Sequence, residues 1–157
     1  MYQVRNAELK DMELCGRIMA QSFRSAFSSF ISRETLDACA VEENCRALLE
    51  GLFQEGRMHF LLGNDSGMLA WQEDGEAAEI AAIHSLPESW GTGLGAAMLR
   101  AALKQIGLRE VYLWAFEKNA RARRFYEKQG FHWDGTRRIS EFDGAVEVRY
   151  VKAPERN

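Results

Sequence analysis

The stretch from Leu86 to Arg100, LPESWGTGLGAAMLR, sets Gly91, Gly93 and Gly95 within five residues, directly ahead of an alanine-rich helical pattern. A strand-like run, AEIAAIHS, leads into it. No other segment restricts the fold as much. A strand that turns through side-chain-free residues and enters a helix at once defines a β-loop-α unit. It also exposes several backbone N–H groups beside a helix N-terminus, where orphan donors and partial positive charge collect. Such a turn is either a tight connection and nothing more, or a seat for an anion such as a pyrophosphate.

Two familiar phosphate loops fail on residues. A P-loop requires Lys and Ser or Thr after its last glycine, and Ala96, Ala97 and Met98 stand there instead. A dinucleotide fingerprint requires G-x-G-x-x-G. Gly91-x-Gly93 is followed by Gly95 rather than by a glycine at 96, and Gly93-x-Gly95 is followed by Met98.

The rest of the chain supplies the context. YQVR reads as a short first strand, and Asp11 as the cap of a helix bearing Leu14, Ile18, Met19 and Phe23 at helical spacing. Ser32 and Thr35 are too weak a pair to define a capping box. Val41, Cys45, Leu48, Leu49 and Leu52 form one helical stripe. MHFLLG and GMLAWQ flank the turn NDSG as a hairpin, and EDGE marks the next turn. After the glycine loop, Leu99, Leu103 and Ile106 define a helix that Gly107 ends. REVYLWAF is a strand, NARARRFYEKQ a helix stopped by Gly130, FHWDG begins a further strand, and VEVRYVK is the last one. The predicted order is β-α-α-α-β-β-β-α-β-α-β-β. That order describes an α/β chain with one mixed sheet and helices on both faces.

At 157 residues, with 46% hydrophobic and 27% charged content, the chain fits a single domain over 1–157. A net charge of -3 gives no global attraction for nucleic acid or anionic membrane, so an anion site must be local. The expectations are therefore no nucleic acid, no membrane and a cytoplasmic location, since neither a signal peptide nor a spanning run is present. The three cysteines, Cys15, Cys39 and Cys45, show no metal or disulfide spacing and read as reduced thiols; no metal is expected.

The helix NARARRFYEKQGF carries the second motif. Asn119 takes the cap position, and Tyr126 lies seven residues on, two turns down the same face. A phenol is protonated at neutral pH and can give its proton to a thiolate or alkoxide leaving group. The plain alternative is a Tyr packed in the core. The run Arg121, Arg123 and Arg124 reads as a solvated face, or as an edge contact to a phosphate.

With both motifs in place, the chain resembles the GCN5-related N-acetyltransferase (GNAT) family. The signature Q/R-x-x-G-x-G/A followed by N-x-x-A-x-x-F-Y-x-x-x-G-F appears here as IHSLPESWGTGLGAAML and NARARRFYEKQGF. The second element matches at every named position. The first departs once, with Trp90 where Arg or Gln is commonest. The likeness covers about Met58 to Val151.

The resemblance implies a mostly antiparallel twisted sheet with a splayed strand pair at a cofactor cleft. It implies acceptor-side helices over about 9–52 and an acetyl-CoA-binding core over about 58–151. Acetyl-CoA would be the donor and a small-molecule or peptide amine the acceptor, attacking directly; a homodimer is a possible assembly. Ile83 and Ser85 would pair with the pantetheine arm through their backbone, and a bulge near Leu86-Pro87 would open the cleft. Gly91, Thr92, Gly93, Gly95 and Ala96 would hold the pyrophosphate. Asn119 would contact the arm and Tyr126 would protonate the departing thiolate.

For the general base, the position where some members carry Glu holds Trp114. Glu79 is the first choice, sharing a period-2 face with Ala81, Ile83 and Ser85; His84 or a water follows. Use of another acyl-CoA or acceptor, and a non-catalytic acyl-CoA-binding module, are the competing readings.

Overall fold

A computed structural model describes residues 2–154. Its elements follow the predicted order: β1 (Val4–Asn6), α1 (Met12–Phe27), α2 (Arg33–Cys39), α3 (Glu42–Glu55), β2 (Met58–Gly63), β3 (Gly67–Asp74), β4 (Ala77–Ser85), α4 (Leu94–Ile106), β5 (Val111–Phe116), α5 (Ala120–Lys128), β6 (His132–Ile139) and β7 (Val146–Lys152). Seven strands form one sheet in the order β1-β2-β3-β4-β5-β7-β6. All neighbours are antiparallel except β4 and β5, which run parallel. The helix α4 makes the crossover between them.

Alternation along the strands divides the interior into two layers. Leu61, Leu69, Trp71 and Ile80 join Leu94, Met98 and Leu99 of α4, with Tyr126 and Phe131 beyond. On the opposite face Phe60, Leu62, Met68 and Ala70 meet Met12, Cys15 and Ile18 of α1 and Leu49 of α3. Gly16 lets α1 approach α3, because a Cβ there would lie 2.8 Å from the Arg46 nitrogen.

Local signals behave as their chemistry dictates, with three exceptions. Asn64, at φ +50°, turns the hairpin in NDSG, and Gly107, at φ +78°, ends α4. Ser32 does cap α2, its hydroxyl accepting from the Thr35 amide at 3.2 Å. Asp11, in contrast, does not cap α1. Its carboxylate turns back to accept from the Glu8 amide at 2.7 Å and from the Arg5 guanidinium at 2.8 Å, which holds its pKa down to about 2. The predicted α3 stripe is only partly inward: Cys45 and Leu49 are buried, but Leu48 is 52% exposed and Val41 precedes the helix. The cysteines are free, and burial pushes the Cys15 thiol up to about 12, so it packs as a small apolar group.

The third exception positions the site. The β3–β4 register runs Ala70↔Ala82 and then Trp71↔Ile80, leaving Ala81 without a partner. The bulge is therefore at Ala81, not near Leu86-Pro87. It reverses the alternation of everything after it. Glu79 pairs with Gln72 and His84 with Met68, so both take the α1 face; Ile83 pairs with Leu69 and takes the α4 face.

Candidate active site

β4 and β5 pair only over Ala78–Ile80 and Val111–Leu113. Past Ile80 the two strands part, and a cleft of about 580 Å³ opens between them. The glycine loop and the start of α5 stand at one end. Phe23 and Phe27 of α1 stand at the other, with Phe116 and Phe142.

The loop end is built to present donors. Gly91 and Gly93 adopt φ of +73° and +98°, left-handed values that glycine alone takes without strain. Gly93 caps α4 with no side chain; the Leu94 amide donates to the Thr92 hydroxyl at 3.4 Å, and the next amides of the helix stay open. Among the described residues, the N–H groups of Gly91, Gly93, Gly95 and Ala96 have no hydrogen-bond partner, and these four residues line the cleft. Such a cradle suits a pyrophosphate.

Gly95 has ordinary helical φ and serves differently, since a Cβ there would lie 3.2 Å from the Phe125 ring. Thr92 braces the loop rather than offering a donor. Its amide and hydroxyl both bond to the Ser89 carbonyl, at 3.3 and 2.6 Å, and its own carbonyl accepts from the Tyr2 hydroxyl. Trp90, the departure in the motif, donates from Nε1 to the Ser85 carbonyl at 3.1 Å. Thus one of the backbone acceptors expected on β4 already has a protein partner. Arg121 of α5 stacks on the same indole, 3.6 Å from its centroid.

Asn119 caps α5 as expected, its side-chain oxygen accepting from the Ala122 amide at 3.2 Å. The amide nitrogen of its side chain stays available in the cleft. Tyr126, 7% exposed, is fixed by Phe125, Phe131 and Tyr150, with ring centroids 5.4, 6.1 and 6.2 Å away. Its ring lines the cleft, and its hydroxyl makes no hydrogen bond among the described residues. Burial raises its pKa above the ordinary value, against a small opposing pull from Arg121. The phenol therefore remains a proton donor throughout the physiological range.

The base candidates separate. Glu79 sits near the start of β4, where Gln72 donates to it at 3.0 Å, and it is absent from the cleft lining. Five residues of extended chain, roughly 15 Å, divide it from His84. His84 lies in the cleft with Nδ1 3.1 Å from the Ser22 hydroxyl and its ring 5.3 Å from Phe23. Burial lowers its pKa to about 4, so the imidazole is neutral near pH 7. If Nδ1–H donates to Ser22, Nε2 is left as an acceptor.

Several lining residues had no sequence signal of their own. Glu147 lies opposite Phe116 in the β5–β7 ladder and faces the cleft. The alternation of VEVRYVK does separate Glu147 and Arg149 from Val148 and Tyr150. Which face met the cleft depended on β7 inserting between β5 and β6. No group of three or more metal-ligating side chains occurs among the described residues, and no helix there is long and apolar enough to cross a membrane.

Comparison with known proteins agrees with this geometry. A family profile described as Acetyltransferase (GNAT) family matches residues 17–131. A probable N-acetyltransferase of Mycobacterium tuberculosis is 40% identical over 57 residues, which is 36% of this chain and 33% of that protein. An uncharacterized N-acetyltransferase of Mycobacterium bovis is 39% identical over 67 residues, 41% of this chain and 43% of that protein. The matches thus span between a third and a half of these curated relatives. Among solved structures, the PaiA N-acetyltransferase of Thermoplasma acidophilum in complex with coenzyme A superposes with a TM-score of 0.82 at 19% identity, covering 98% of this chain and 99% of that one. The ribosomal-protein-S18-alanine N-acetyltransferase of Escherichia coli superposes at 0.69 with 18% identity, covering 100% and 96%.

Proposed function

The chain belongs to the GNAT acetyltransferase family, and from that premise we propose that it moves an acetyl group from acetyl-CoA to a primary amine by direct attack within one ternary complex. The observation that carries this reading is the set of unpartnered amides at Gly91, Gly93, Gly95 and Ala96, at one end of the cleft that also holds Tyr126 and His84. The four amides fit a pyrophosphate, and the solved relative from Thermoplasma acidophilum binds coenzyme A. Acetyl-CoA supplies an activated thioester carbonyl.

The chain's own groups do the rest. The amides and the α4 N-terminus hold the diphosphate. The free edge of β4 past Ala81 and the Asn119 side chain align the arm. A neutral amine forms the new C–N bond as the C–S bond breaks. The proton leaving nitrogen passes to His84, directly or through a water, and the sulfur takes a proton from Tyr126. His84 takes the role first given to Glu79, because Glu79 lies outside the cleft. A base whose pKa is about 4 suffices when the nitrogen it serves turns acidic on bonding to carbon. The whole span 1–157 acts as one unit in this reading, with 9–52 forming the acceptor side and 58–151 the acyl-CoA side.

The test has two stages. Acetyl-CoA should raise the thermal midpoint of the purified protein, and a panel of amines should then release free CoA. Absence of stabilisation removes the reading. Stabilisation without release from any amine leaves an acyl-CoA-binding module.

A further inference from the structure

The end of the cleft away from the glycine loop is walled by aromatic rings. Phe23, Phe27, Phe116 and Phe142 form a closed circuit, each ring meeting the next at centroid distances of 5.4, 4.9, 6.1 and 6.1 Å. His84 abuts this wall through Phe23. Glu147 is the one acid among the described residues that line the cleft. Its side chain is 16% exposed. One carboxylate oxygen accepts from Arg138 at 3.0 Å, and the other has no hydrogen-bond partner among the described residues. Two nearby acids, Asp143 and Glu117, lie outside this lining and have partners of their own. Asp143 holds the Ser32 amide at 2.5 Å together with the Thr35 hydroxyl, and Glu117 is paired with Arg137 at 2.5 Å.

Resting on the acyl-transfer reading, we propose that the acceptor is a primary amine with a single positive charge, carried on an apolar group about the size of one aromatic ring. The apolar group sits against the four phenylalanines and the ammonium is drawn to Glu147; it gives one proton to solvent through the open cleft before the neutral nitrogen attacks, and the second proton leaves to His84 as the C–N bond forms. Each ammonium group brought into a partly closed cleft loses hydration and needs an anionic partner. A polyamine or an aminosugar brings several such groups to a cleft lined by one carboxylate, which already shares its charge with Arg138 and has one oxygen left to accept. An apolar ring gains in proportion to the area it removes from water, and its faces and edges meet the wall in the tilted arrangements that aromatic pairs favour. Glu147 is thus an acceptor-binding residue, distinct from the groups that move protons.

The experiment uses the whole purified chain. Thermal stabilisation by acetyl-CoA is read first; its absence overturns both this proposal and the acyl-transfer reading. With stabilisation present, kcat/KM is measured for 2-phenylethylamine, spermidine and kanamycin. The expected result is at least about a tenfold preference for 2-phenylethylamine. Equal or better turnover of either polycation, or turnover of other amines without 2-phenylethylamine, overturns this proposal alone, whereas no turnover of any amine overturns the acyl-transfer reading with it. Glu147→Gln should raise the KM for 2-phenylethylamine roughly tenfold with kcat nearly kept, and Glu147→Asp should restore much of the loss. Calorimetric titration of the amine into CoA-saturated protein should show the same weakening. Unchanged amine affinity in Glu147→Gln overturns the role of the carboxylate.

Discussion

The Arg121 guanidinium lies 3.6 Å from the centroid of the Trp90 ring, and the same indole donates to the Ser85 carbonyl. One side chain therefore links the end of β4, the glycine loop and the first turn of α5. The loop contains no Lys or Arg of its own. The stack returns a cation to its edge, delivered from a different element.

If that cation assists a bound diphosphate, Arg121→Ala should weaken CoA binding about three- to tenfold. The deficit should shrink between about 50 and 500 mM salt as charges are screened. Dissociation constants at the two salt concentrations check this. Equal affinity in both proteins at low salt would show that the stack only shapes the loop.

Tyr126→Phe keeps the ring that packs against Phe125, Phe131 and Tyr150 and removes only the hydroxyl. Turnover should fall at least about tenfold, while the KM for acetyl-CoA stays within about threefold. Steady-state kinetics with the acyl donor varied separates the two. A rate equal to that of the parent would remove this phenol from proton transfer.

His84 gives the fold a pH dependence of defined sign. Its folded pKa of about 4 lies below the ordinary 6.5. As pH falls through 6.5 the unfolded chain takes up a proton that the folded chain refuses. Stability is thus full above pH 6.5 and declines as pH falls toward 4. Asp11, held down to about 2 chiefly by its bond to Arg5, adds its own loss only at lower pH. Denaturant midpoints across this range should fall in the parent, and the slope between pH 6.5 and 4 should flatten in His84→Gln. The same variant should lower kcat roughly 100-fold. A slope that persists unchanged would assign the effect to other groups.

Gly93→Ala places a side chain at φ +98°, with its Cβ 3.4 Å from the Tyr2 ring. The backbone conformation should cost about 1–2 kcal/mol, or a midpoint lower by roughly 2–6 °C. Any shift of the Gly93 amide should also weaken CoA binding. Gly95→Ala, with helical φ and only the Phe125 ring to displace, should be milder in stability. Calorimetry and CoA titration of the two variants rank them; the reverse order would contradict the geometry.

Much of this architecture is legible in residue order because the local signals are backbone chemistry. Gly107, Gly130, Asn64 and the Asn119 cap each act where the sequence places them, and the strand and helix periods give the element order. What escapes is set by single-residue events in register. Nothing in AEIAAIHS marks Ala81 as the unpaired residue, yet that one position decides that His84, and not Ile83, faces α1. An uninterrupted period of two therefore places Glu79 with Ile83 and Ser85 and sets His84 on the opposite face. Glu147 escaped for another reason. Its neighbours across the sheet follow from β7 lying between β5 and β6, a long-range choice that no local pattern encodes. Asp11 shows a third limit, since a capping residue type does not say which amide it will serve.

The parting of β4 from β5 beyond Ile80 leaves a sheet with an interval along which neither edge has its partner. An extended ligand arm lying in that interval would act as a short guest strand. Occupancy and sheet continuity would then be one thermodynamic event, with each molar increment of ligand drawing the ensemble toward the closed ladder. Amide exchange at 81–85 and 114–116 would report that coupling directly, slowing together as the interval fills.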